Sequence, residues 1–532
     1  MFALTVAGVA ALAGPAAGQV AVAGWTQYQG GAAHLGAAVA GPNAPYKIDH
    51  TTTFDELPGG SSESLGLSAP VISGQTAVVV GPTTVRAVSF GDGGVEWSVP
   101  RVFGPSVPAA IYDSGAGCAR CHPIVVYTEG WGSGPGNPTS SATPTTSVRP
   151  GTASGSPFSS ASDVSPTSPP SSTSASSPSP GAQSPTPVPS DVMARSLIDG
   201  SKEWDAPIQL KATSRTGVTV DGTTAFVGDI RGNVYAIDLF TGKILWTRNV
   251  GGFLESPLAA ADGQVLVSVD GYATNNAKLV AVSEATGDVA WTYDTGHPGY
   301  LTSPAAADGR AFIGVTSFGT TGSVPSLVSV KPAPRPGPLA KGTVTWESHL
   351  SAPVTFATSP SIAGNQVFVE DTFGDVFAVD RSSGQRNWTF ATNTQFARGA
   401  ALAIGDQVLI PTRNGTIIVL DASSGHQVFE SADAGGPLRY PAMVGTDRVI
   451  FTRGGPKPGI ATFVNDPNGA GLTDIASPTT ANYGRILGNF AIAAAGLVLL
   501  SLLVFRPLAK RMGPAFLVED DEVAVVGPQE DT

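Results

Sequence analysis

The sequence predicts an all-β chain, a seven- or eight-bladed β-propeller followed by a single C-terminal transmembrane helix. Three observations lead there: a repeat of about 40 residues that closes on an aromatic residue, Gly-containing turns between short apolar runs, and a twenty-residue uncharged stretch near the C-terminus. Gly and Pro are abundant, 65 and 44 of 532 residues, and only 13% of residues are charged. Turns and a long linker account for such a composition; a coiled coil does not. The net charge of −12 lacks the basic footprint of a nucleic-acid binder, and two Cys exclude a disulfide-rich scaffold.

The repeat is clearest in residues 218–246, VTVDGTTAFVGDIRGNVYAIDLFTGKILW, and again in copies ending at Trp291, Trp388 and Phe429. More degenerate copies end at Trp97, Trp204 and Trp346. From Trp204 to Phe429 the closing aromatics fall 42, 45, 55, 42 and 41 residues apart. Within a copy, turns such as Arg231-Gly232-Asn233 and Asn414-Gly415 join apolar runs, because hairpin turns need residues tolerant of positive φ. A second turn, Thr241-Gly242 or Ser424-Gly425, leads into the strand bearing the aromatic, and Asp-Gly pairs at Asp221, Asp262 and Asp308 mark the turn before the strand that opens each copy. Four short antiparallel strands per copy make one propeller blade, and radial packing buries faces that a lone sheet would expose. The aromatics count seven blades. A partial copy at residues 442–464 pairs with strands after Trp25 if an eighth closes the ring.

The ends of the chain read separately. Residues 1–23 are apolar and small, ending in Ala21-Val22-Ala23, and resemble a secretory signal without its positive start. Ile486–Phe505 carries no charge and has the length that crosses about 30 Å of hydrocarbon as a helix. Arg506, Lys510 and Arg511 follow it while only Arg485 precedes, so the positive-inside bias puts the C-terminus in the cytoplasm and the propeller outside. The tail is 506–532, and beyond Met512 Glu519, Asp520, Asp521, Glu522, Glu530 and Asp531 contribute half of the net charge with no Lys or Arg. Residues 133–190 are almost purely Ser, Pro, Thr, Gly and Ala, which predicts a disordered insertion between propeller segments 24–132 and 191–465; a linker, 466–485, precedes the span.

The stretch Val234-Tyr-Ala-Ile-Asp238-x-x-Thr241-Gly242-x-x-x-Trp246 resembles the tryptophan-docking repeat of pyrroloquinoline-quinone (PQQ) propellers, shared with outer-membrane assembly lipoproteins of the same fold. Trp25-Thr-Gln-Tyr-Gln-Gly-Gly is similar to the opening of such propellers. The resemblance implies that Trp97, Trp204, Trp246, Trp291, Trp346 and Trp388 dock on neighbouring blades, a structural role. It also raises PQQ as a cofactor, but the catalytic Asp, the calcium ligands and the adjacent Cys pair of the quinoprotein dehydrogenases have no counterpart here. Asp238, Asp380 and Asp421 recur at one repeat position and read as turn formers.

One motif stands outside the repeat. Cys118-Ala-Arg-Cys121-His122 matches the C-x-x-C-H signature of haem c, with His122 as iron ligand. Its setting between the strands 107–113 and 124–128 favours instead a Cys118–Cys121 disulfide stapling a hairpin loop in an oxidising compartment. The six His show no metal-ligand spacing, and no nucleophile elbow or phosphate loop appears. The expected function is therefore a membrane-anchored, extracytoplasmic scaffold that binds a protein partner, without catalytic residue, metal or cofactor. The alternative is a quinoprotein or haem-c-linked oxidoreductase passing electrons to the membrane.

Overall fold

The computed structural model describes residues 24–55, 66–114, 122–130, 189–271, 275–319, 322–350, 358–394, 399–444 and 447–469. The signal-like segment, nearly all of the insertion, Cys118, Cys121, the apolar run 486–505 and the acidic tail lie outside them. The described residues form eight sheets, one per blade, each antiparallel apart from a short parallel pairing of Ala37–Ala38 with Leu402–Ile404. Blade 3 shows the pattern: Val218–Asp221, Thr224–Gly228, Asn233–Asp238 and Ile244–Asn249 pair in that order from the innermost strand to the outermost.

Two details differ from the sequence reading. The Asp-Gly pairs lie inside each copy, joining its first and second strands: Asp221 pairs with Thr224 across Gly222. The closing aromatic belongs to the fourth strand and is not its end, since Trp246 pairs with Ala236 and the strand runs on to Asn249. A recurring aromatic marks the middle of a blade edge because that is the part covered by the next blade.

The ring has eight blades, and its closure is composite. Leu438–Val444, Arg448–Arg453 and Gly459–Asn465 supply three strands of blade 8, and Tyr46–Thr53 supplies the outermost. Arg453 bolts the joint, donating to the Ala434 carbonyl at 2.8 Å and to Thr53 Oγ1 at 2.7 Å. The long insertion sits within blade 2, not between blades: Asp191–Ser196 pairs directly with Ile124–Glu129, and Ser190 donates to the Gly130 carbonyl. A connection between paired strands can grow long at small entropic cost, so the blade survives it.

The core is distributed over the blade interfaces. One cluster joins Val126 and Val192 of blade 2 to Val227, Tyr235 and Ile237 of blade 3, and equivalent clusters recur around the ring. This leaves the inner edges of the innermost strands to be covered. Residues 26–38 do so by threading the ring: the carbonyls of Thr26, Ala32, Ala33, Leu35 and Gly36 accept from Ile111, Ala260, Ala306, Ile362 and Ala403 of blades 2, 4, 5, 6 and 7. Gln27 serves blade 3 with its side chain, accepting from Val220 N at 2.7 Å and donating to Val220 O at 2.6 Å. Backbone polar groups that would otherwise be buried unpaired are satisfied in sequence.

Candidate functional site

Alternation of strand direction gives the ring two faces. One, the turn face, carries the first-to-second and third-to-fourth strand turns; the other, the connection face, carries the second-to-third turns and the links between blades. On the turn face the repeat residues hold one another. Asp238 Oδ1 accepts from Thr241 N at 2.8 Å and Thr241 Oγ1 at 2.7 Å, and Asp380 and Asp421 cap their Ser-Ser turns in the same way. Hydrogen bonding from Ser382 holds the Asp380 carboxyl down at about 2. The tryptophans meet the next blade there: Nε1 of Trp97, Trp204, Trp246, Trp346 and Trp388 donates to the carbonyl of Leu197, Leu239, Glu284, Arg381 and Ala422 at 2.7–2.9 Å. A Cβ on Gly425, φ +73°, would come within 2.5 Å of the Trp388 ring, which explains the glycine of the turn. Trp291 departs, donating to Gln264 Oε1 of its own blade, because blade 5 replaces the short turn with residues 332–342.

The connection face holds a funnel on the ring axis of about 320 Å³. The threaded segment supplies Tyr28, blade links supply Arg215, Glu255 and Pro257, and the start of the innermost strand of blade 8 supplies Arg439 and Tyr440. Arg215 Nη1 and Glu255 Oε1 pair at 2.6 Å, and the Tyr28 and Tyr440 rings approach edge to face at 6.3 Å. Burial pushes the Tyr28 hydroxyl far up, keeping it protonated. Beneath it His34 is fully buried; Nδ1 lies 2.9 Å from Ser303 Oγ, and desolvation lowers its pKa to about 3, so the imidazole stays neutral.

Beside the funnel an aromatic ledge projects. In blade 5 the second and third strands extend to ten residues each, Arg310–Gly319 and Gly322–Lys331, against about five in other blades. Tyr300 pairs onto this hairpin, stacks edge to face on Phe318 at 5.0 Å, and with Phe253 leaves three exposed aromatics on one rim. Nothing in the repeat foretells them; the only sequence signal is the 55-residue spacing between Trp291 and Trp346.

Buried acids occupy the same face. In blade 3, Asp229 accepts from both Asn233 and Tyr235. In blade 6 the equivalent Asp371 has Asp375 and Phe377 at the corresponding positions; its Oδ1 accepts from the backbone N–H of Phe373 and Asp375, and Oδ2 has no partner. Glu370 next to it is fully buried with both oxygens unpartnered. Desolvation raises the Asp371 carboxyl to about 7 and Glu370 well above the usual range.

Cofactor chemistry finds little here. Calcium beside a quinone takes about six to eight oxygen ligands, whereas the funnel offers one carboxylate, Glu255, already held by Arg215. No group of three His, Cys, Asp or Glu suited to a metal occurs among the described residues, and those lining the funnel do not fit that group. Of the C-x-x-C-H motif only His122 is described; its Nε2 lies 2.5 Å from Glu203 Oε1, which engages one of the two nitrogens by which imidazole ligates iron. No helix among the described residues is long and apolar enough to cross a membrane.

A family profile described as outer membrane protein assembly factor BamB matches residues 190–326 and 339–457. The chain is 26% identical over 233 residues to BamB of Yersinia pestis, covering 41% of this chain and 53% of that protein. It is 24% identical over 274 residues to BamB of Moranella endobia, covering 49% and 64%. The matches thus span about half to two-thirds of those relatives. Among solved structures, quinohemoprotein alcohol dehydrogenase from Comamonas testosteroni superposes with a TM-score of 0.51 at 10% identity, over 87% of this chain and 84% of that one, a likeness of fold alone. The blade count, the repeat and these matches together make the chain a PQQ-like β-propeller of the BamB type.

Proposed function

We propose that this chain is an extracytoplasmic interaction scaffold, anchored in the membrane by residues 486–505, which holds a protein partner on its connection face without catalysing a reaction. The observation that carries this reading is the rim of exposed aromatics, Phe253, Tyr300 and Phe318, beside a funnel walled by Arg215, Arg439 and Tyr440 on a rigid ring. Tyr, Trp and Arg dominate binding hot spots because they bury large areas at modest entropic cost. The names of the BamB relatives, assembly factors, agree with a partner-binding role. Envelope placement follows from the signal-like start and the charge flanks of the apolar run.

The test pairs a spectrum with a binding assay on the purified full chain. A scaffold is colourless with and without dithionite and shows no PQQ-dependent turnover. Replacing Tyr300 and Phe318 by Ala abolishes partner capture while the melting temperature holds. A Soret band with sharp reduced bands, or quinone-dependent oxidation of an alcohol, overturns the reading.

A further inference from the structure

The chain leaves the ring on the turn face at both ends. Gly24 pairs with Ser73 at the first turn of blade 1, and Asn465 and Asp466 bond to the carbonyls of Asn43 and Pro45 at the start of the outermost strand of blade 8. Sixteen residues, 470–485, separate Gly469 from the apolar run at Ile486. An unstrained chain of that length reaches about 20–25 Å. Turning the funnel toward the lipid would require the same residues to run the height of the ring as well.

The same face carries a loop built unlike the other turns. Residues 332–342 of blade 5, PAPRPGPLAKG, replace the capped Thr-Gly or Ser-Gly turn. The loop is held against blade 4 by Gly337 N to Ala290 O at 2.7 Å, Thr292 N to Ala340 O at 3.0 Å and Gly342 N to Thr292 O at 2.9 Å. Held this way it presents Leu339 at 89% exposure, with Lys331, Arg335 and Lys341 exposed around it and no acidic residue between 331 and 342. Elsewhere on this face Ile198 and Phe240 are exposed in the corresponding turns of blades 2 and 3.

We infer that the turn face rests on an anionic bilayer surface, with Lys331, Arg335 and Lys341 at the headgroups and Leu339 in the interfacial layer, so that the funnel points away from the membrane. This rests on the anchoring proposed above. Basic side chains near an anionic leaflet each add attraction that falls off within a Debye length, and a rigid loop loses little entropy when its apolar tip enters the interface. The corresponding turns of blades 3, 6 and 7 begin at Asp238, Asp380 and Asp421, whereas the blade 5 loop offers basic groups to a negatively charged surface.

The test uses the full chain reconstituted in vesicles of neutral or anionic lipid. A nitroxide at Leu339→Cys, with Cys118 and Cys121 replaced by Ser, should be broadened severalfold more by a headgroup-bound nickel chelate than one at Phe318→Cys. Hydrogen exchange on the unsubstituted chain gives a cysteine-independent reading: amides of 337–342 should slow in anionic vesicles, and the slowing should vanish when Lys331, Arg335 and Lys341 become Gln. Equal broadening at both positions, greater broadening at 318, or exchange indifferent to lipid charge overturns the orientation, a covering protein partner included. A chain that fails to float with vesicles overturns the anchoring and the orientation with it.

Discussion

The two faces of the ring are built from the same strands and behave as opposites. On the turn face, the repeat acids are half-buried and saturated with donors, as at Asp380, and the glycines and tryptophans interlock from blade to blade; Glu284 is the exception, with Oε1 unpartnered and its carboxyl pushed up to about 7 by burial and by Asp221. On the connection face, acids are buried and short of donors, as at Glu370 and Asp371, and aromatics stand in solvent. The difference teaches where selection for folding ends. The turn face is repeated because every blade needs the same joint; the connection face varies because it carries no joint common to all the blades.

The contrast breaks first at its strongest joint. Trp388→Ala removes a ring packed on Gly425 and a hydrogen bond to Ala422, and should cost about 3–5 kcal/mol in denaturant unfolding. Gly425→Ala forces a Cβ into the ring at a left-handed φ and should cost roughly 1–3 kcal/mol. If the two residues form one joint, the second change costs less in the Trp388→Ala background, and a double-mutant cycle reads the coupling. Strict additivity would mean that the joint is not shared.

Titration separates Glu370 and Asp371 from Asp380 by sign. Glu370 and Asp371 have raised folded pKa values, so the folded state holds protons that the unfolded state releases. Their stabilising contribution is complete below the ordinary carboxylate range and is lost as the pH rises through the raised values, about 7 for Asp371. Asp380 does the reverse: its contribution is present above 3.8 and lost as the pH falls toward 2. Glu370→Gln should therefore change little at pH 4 and stabilise the ring increasingly as the pH rises above the ordinary carboxylate range, as thermal melts would show. Equal effects at both pH values would contradict the buried, unpartnered carboxyl. Smallest of all, Phe318→Ala should move stability by no more than about 0.5 kcal/mol while removing partner capture.

The turn face was largely legible in the sequence. Short-range chemistry wrote it: Asp238, Thr241, Gly242 and Trp246 lie within nine residues and constrain one another directly. Closure was half legible, since residues 442–464 carry strand grammar but the partner Tyr46–Thr53 lies about 400 residues away and resembles no repeat. The threading of residues 26–38 was not read, although Gly-Gly-Ala-Ala and Gly-Ala-Ala suit a crowded axis where larger side chains meet blade backbone. The funnel and ledge gave no signal because they assemble from single residues on six different links and hairpins, with no spacing in common.

The central claim, a scaffold that binds through its connection face, is tested most directly by placing a photo-cross-linking residue at Phe318 and, in a second variant, at Leu245 on the outer flank of blade 3, in the intact membrane. The account predicts a discrete protein adduct at position 318 that disappears with Tyr300→Ala, and none at position 245. Adducts at position 245 alone, or equally at both, would contradict it.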